Sequence, residues 1–145
     1  MSATIIDKPL HFNIHGFSGV AINKDYAGTA FKLMDRMWQV VKANSLKNKG
    51  LNIWVYEAGE KVFAGVELDN NNVTNTGLEY RNIVLEKYAY HKHIGPYTQI
   101  KQAGLKMTNE LKATGLETTL PYIEVYGHWT SDETKLETEL FMSIK

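Results

Sequence analysis

The sequence contains no cysteine. That excludes disulfides and thiolate metal sites, tells against a small secreted scaffold stapled by disulfides, and removes the thiol nucleophile. Neither sign of charge dominates, because sixteen basic side chains balance sixteen acidic ones. A broad electrostatic patch for nucleic acid or an anionic membrane is therefore not expected. No apolar run approaches the ~20 residues that span a bilayer. The opening MSATIIDKPLHF also lacks the basic and long apolar regions of a secretory signal. A cytoplasmic protein is the expectation. What remains is an ordinary globular composition, 43% hydrophobic and 22% charged, over 145 residues. That length suits a single domain, 1–145, whose core needs no staple.

Two segments have helical periodicity. In KDYAGTAFKLMDRMWQVVKA, apolar residues at Ala27, Ala30, Phe31, Met34, Met37, Trp38 and Val41 predict one buried stripe. In YTQIKQAGLKMTNELKATG the stripe is Ile100, Ala103, Gly104, Met107 and Leu111, with Pro96 before it and Gly115 after it. Strands are expected at 11–22 (with a glycine-rich break at Gly16 and Gly19), 51–57, 61–68, 82–93, 121–127 and 135–144. Ala58-Gly59-Glu60 signals a hairpin. The polar stretch DNNNVTNTG, 69–77, is the one linker-like segment, and its Asn72-Val73-Thr74 sequon is a match expected by chance.

An internal repeat organises these elements. Ile53-Trp54-Val55-Tyr56 lines up with Ile123-Glu124-Val125-Tyr126, seventy residues later. His15-Gly16-Phe17 resembles Ile94-Gly95-Pro96-Tyr97, each at a strand end before a helix. The prediction is an α+β fold of two βαββ units, roughly 10–68 and 78–145. It has antiparallel sheets, helices on one face and a central cleft between the repeats. Strand side chains alternate between faces, so the β-branched Ile53, Val55, Ile123 and Val125 are expected against the helices. The opposite face then carries Trp54, Tyr56, Tyr122, Glu124 and Tyr126 around a shared groove, the usual make-up of a small-molecule pocket.

Glu124 poses the chemical question. A carboxylate removed from water needs a partner or hydrogen bonds, and an organic cation entering an aromatic cleft would supply one, helped by cation–π attraction. On the residues alone, Glu124 has a second reading as a solvent-facing acid on an uncovered face. Trp38 is either core or pocket wall, and Tyr97 either a packing anchor or a ligand contact. Trp54, Tyr56 and Tyr126 can serve as cross-strand packing and as lining together. His91 and His93 share a strand face, as do His11 and His15, but neither pair has a convergent third ligand, so no metal site is expected. Glu137 and Glu139 are read as solvated, or as a second carboxylate at the cleft rim. No nucleophilic triad is visible.

The order HKHIGPY, helix, PYIEVYG, together with the LMDRMW helix ending in Trp38, resembles the GyrI-like small-molecule-binding domain, the effector-binding domain of bacterial transcription activators. The resemblance covers roughly 10–145. It implies a duplicated βαββ fold, no cofactor, and non-catalytic multidrug recognition of hydrophobic cationic molecules, with Glu124 as the cation-binding group. The ligand-binding set is then Glu124, Trp54, Tyr56, Tyr126, Trp38 and Tyr97. About fifty residues of strand and linker separate the two helices, so they cannot form a helix-turn-helix. Direct DNA binding is not expected, and a separate regulatory protein is a possible partner. Two other readings accompany the resemblance. One is a small-molecule hydrolase with Glu124 as general base and Tyr126 or Tyr97 as proton donor. The other is a gyrase-inhibitor-like interaction protein acting through its surface.

Overall fold

The computed structural model describes residues 3–70 and 75–145. The chain runs β1 (Thr4–Ile6), β2 (Leu10–Val20), α1 (Tyr26–Ala43), β3 (Asn52–Glu57), β4 (Lys61–Val66), β5 (Glu79–Leu85), β6 (Tyr88–Ile94), α2 (Ile100–Ala113), β7 (Thr118–Tyr126) and β8 (Glu137–Ile144). All eight strands lie in one antiparallel sheet, in the order β1-β6-β8-β7-β3-β4-β2-β5. The order is symmetric about its centre. One βαββ unit contributes β2-α1-β3-β4 and the other β6-α2-β7-β8, and they join where β3 pairs with β7. The outermost strands are exchanged. β1 precedes the first unit but pairs with β6 of the second, while β5 precedes the second but pairs with β2 of the first.

The helices form where their ends are satisfied and one face is apolar. The Asp25 side chain caps α1 by accepting from the Gly28 N–H at 3.1 Å, supplying one partner for the first turn's free donors. The buried stripe is Ala30, Leu33, Met37 and Val41, rotated from the predicted one. Leu33 is inside, Ala27 is exposed, and Phe31 is 59% exposed. Composition alone does not fix this angle, because α1 has apolar residues on more than one side. In α2 the expected Ile100, Met107 and Leu111 are buried. Its last turn closes at Gly115, whose φ of +81° is a left-handed value that glycine adopts without steric cost.

The face assignment expected from the strands is inverted. α1 packs on Trp54, Val62, Ala64 and Val66, and α2 packs with Tyr122, Tyr126, Leu140 and Met142. The helices therefore cover the face that carries Glu124. The β-branched face, with Ile53, Val55, Ile123 and Val125, is buried against Phe12, Phe63, Tyr88 and Phe141 of the same sheet. Curvature makes this possible. Phe12 on β2 and Phe141 on β8 stand four strands apart, about 19 Å in a flat sheet, yet their ring centroids are 5.2 Å apart. The sheet curls until its helix-free face closes on itself.

Other expectations shift by smaller amounts. The predicted strand 82–93 belongs to two strands, β5 and β6, which part at Glu86 and Lys87. β2 continues through Gly16 and Gly19 without a break. Gly16 is needed for a different reason: a Cβ there would lie 1.9 Å from the Ala64 carbonyl oxygen, where β2 presses against β4. Residues 71–74, with the sequon, lie outside the described residues.

Candidate functional site

The two helices flank the centre of the sheet without meeting over it, leaving a cleft of ≈1040 Å³. Its floor is the β3–β7 junction, where register sets three cross-strand pairs side by side: Asn52 with Tyr126, Trp54 with Glu124, and Tyr56 with Tyr122. Its walls are Phe31 and Met34 from α1 and Ile100, Gly104 and Leu105 from α2. Tyr97 precedes α2, and Trp129 projects from the loop after β7. Phe31, Tyr97, Leu105 and Trp129 are exposed at the mouth, whereas Trp54 and Glu124 at the bottom are buried, at 9% and 7% exposure.

Three phenols meet on the Glu124 carboxylate. The Tyr126 hydroxyl donates to Oε1 at 2.6 Å and that of Tyr56 to the same oxygen at 3.3 Å. Tyr122 donates to Oε2 at 2.8 Å. Burial, reinforced by the carboxylate, pushes all three phenols well above their ordinary range, so they stay protonated donors. The rings also pack on one another. Tyr56 and Tyr122 stack at 5.8 Å, Trp54 and Tyr126 lie 4.7 Å apart, and Tyr97 meets Tyr126 edge-on at 5.5 Å. Among the described residues, no ion pair reaches Glu124.

Five of the six predicted site residues line this cleft: Glu124, Trp54, Tyr56, Tyr126 and Tyr97. Trp38 does not. It stands behind the wall, and its indole N–H donates to Asn52 Oδ1 at 2.6 Å, which fixes a residue that does line the cleft. Tyr122, Phe31 and Trp129 were absent from the predicted set. Tyr122 is expected on the groove face, two residues upstream of Glu124, but without a ligand-binding role. Trp129 carried no periodic signal, since it sits in a loop. Among the described residues, no group of three or more His, Asp or Glu side chains is placed to hold a metal ion. No described helix is long and apolar enough to cross a membrane.

An aromatic cleft at the seam of a duplicated unit, with one buried acid, defines a small-molecule-binding domain. The chain belongs to the GyrI-like small molecule binding domain family, which matches it over residues 1–145. Solved structures share the fold. The EcmrR C-terminal domain is 14% identical, with a TM-score of 0.76 over 100% of this chain and 99% of that one. SAV2435, in a structure bound to tetraphenylphosphonium, is 19% identical, with a TM-score of 0.66 over 100% and 94%. A hydrolase from Listeria innocua is 10% identical, with a TM-score of 0.55 over 96% and 92%. No curated protein sequence matches the chain at a significant level.

Proposed function

We propose that the cleft binds hydrophobic, cationic small molecules without turning them over, with Glu124 as the counter-charge. The observation that carries this reading is a buried carboxylate held by three neutral hydroxyls and by no cation of the described chain. Hydroxyls satisfy its lone pairs but leave its charge uncompensated in a low-dielectric floor. A cation with aromatic or aliphatic flanks supplies the charge and buries its flanks against Trp54, Tyr56, Tyr126 and Tyr97. The tetraphenylphosphonium bound to SAV2435 is a molecule of that chemistry. In this reading Trp38 acts at one remove, by holding Asn52. The protein serves as a cytoplasmic drug sensor or sequestering protein, and this stretch makes no direct contact with DNA.

The test is a tryptophan-fluorescence titration with tetraphenylphosphonium and its anionic shape-mate tetraphenylborate, on the wild type and on Glu124→Gln. The cation is expected to bind, and the substitution to weaken it by about 2 kcal/mol, the worth of a charged hydrogen-bonding partner in a buried site. Equal binding of cation and anion, or an affinity indifferent to Glu124→Gln, overturns the reading. Product formation that depends on Glu124 would replace it with the hydrolase alternative.

A further inference from the structure

The helix-free face of the sheet holds a second cavity, of ≈520 Å³. It opens beside the aromatic cluster made where the sheet curls on itself. Phe141 is at its centre, with Phe12 edge-on at 5.2 Å, Tyr90 tilted at 5.2 Å and Tyr88 at 5.8 Å. Leu10 and Leu51 stand in the apolar wall with Ile6, Ile53 and Val125. This volume lies within the range of small-ligand sites and is half that of the cleft on the other face.

One polar group is set into that wall. Glu139, half-buried, accepts the Tyr90 hydroxyl on Oε2 at 2.5 Å. Burial and the Glu139 carboxylate together push the Tyr90 phenol up, so Tyr90 remains the donor and Glu139 the acceptor. The other charged groups around the cavity are Lys49 and Glu67, with His11 beside them. Lys49 is turned to Asp69 at 3.8 Å. The nearest lysine on the adjoining strand, Lys92, is turned to Glu137 at 3.5 Å. No ion pair among the described residues therefore takes up Glu139.

We infer that this cavity is a second ligand site, for a compact aromatic amine whose ring lies against Phe12, Tyr88 and Phe141 and whose ammonium group meets Glu139. The ring faces and edges supply contact for a flat apolar body. The carboxylate selects positive charge or a strong donor at one end of that body. Size separates the two sites, because a molecule that fills the front cleft does not fit the smaller one.

The experiment is a ¹³C-methyl NMR titration with 2-naphthylmethylamine, with 2-naphthylmethanol as the neutral comparison. Leu10 and Leu51 report on the second cavity, and Ile100 and Leu105 on the cleft between the helices. The Leu10 and Leu51 signals are expected to shift saturably with the amine. Glu139→Gln should weaken that binding by about tenfold, as expected for a lost charged hydrogen bond, and Glu124→Gln should leave it unchanged. Leu51→Trp, which fills the cavity without touching a charge, should abolish it. The inference is overturned if only Ile100 and Leu105 respond, if the alcohol binds as tightly as the amine, or if both Glu139→Gln and Leu51→Trp leave the Leu10 shifts intact.

Discussion

The first and second βαββ units have nearly the same architecture and unlike chemistry. Seventy residues apart, Met37 and Met107 are both buried, as are Val41 and Leu111, Ile53 and Ile123, and Val55 and Val125. At the cleft floor only one of three equivalent positions is the same, Tyr56 and Tyr126. Asn52 answers to Tyr122, and Trp54 answers to Glu124. Trp38 of α1, behind the cleft wall, answers to Thr108 of α2, which lines the cleft. Because Trp54 pairs directly with Glu124 across the β3–β7 junction, the pseudo-two-fold axis passes between them. Duplication supplied a symmetric frame, and substitution at the axis put a ring on one side and an acid on the other. A cleft floor with a single carboxylate at its axis follows from that asymmetry.

Restoring the symmetry is expected to have the largest effect. Trp54→Glu would set two carboxylates opposite each other on a buried floor, and a stability loss of roughly 3–5 kcal/mol is expected. Sharing the site raises the pKa of one acid. The variant should therefore recover part of that loss at pH 4 relative to pH 8, as read from urea midpoints. A loss that does not depend on pH would mean that the acids do not face each other. The next largest effect tests the frame itself. Met37→Ala and Met107→Ala, both at fully buried positions, should each cost about 3 kcal/mol and match within experimental error. A large inequality would show that one unit carries the stability of both.

The smallest effect sharpens the one shared position. Tyr126 donates at 2.6 Å and Tyr56 at 3.3 Å to the same oxygen. Tyr126→Phe is expected to cost about 1 kcal/mol and Tyr56→Phe clearly less. Both phenols, like that of Tyr122, are raised in the fold, first by burial and then by Glu124. Their contribution is therefore complete below about pH 10, where an unfolded tyrosine ionises, and is lost as the pH rises beyond it. Alkaline urea titrations of the wild type and the two phenylalanine variants measure this, with the shallower decline expected in Tyr126→Phe.

Much of this was legible in the residues. The recurring Ile-x-Val-Tyr located the repeat, and period-two alternation placed Trp54, Tyr56, Tyr122, Glu124 and Tyr126 together on one face. What covers that face was not legible. A β-branched face announces burial, but Ile53 and Val125 are buried equally well by a helix or by the curled sheet's own Phe12 and Phe141. That choice depends on contacts between distant strands, which no local pattern encodes. The same reason explains Trp38 and Phe31. Both fit an apolar helical stripe, and a rotation of α1 about its axis decides which one meets the cleft. Alternation put Tyr122 on the same face as Glu124, but its hydrogen bond to that carboxylate is a three-dimensional distance that no sequence pattern states.

The exchanged strands β1 and β5 make each unit hold the outer edge of the other. With the sheet continuous across β3 and β7 as well, the cleft resembles a vice whose jaws are forged in one piece, with no hinge at its root. On the function proposed above, bulkier guests are met at the lip, where Phe31, Tyr97, Leu105 and Trp129 stand exposed. On that same reading, tolerance of varied shapes belongs to those four side chains, and the preference for charge belongs to Glu124 on the floor.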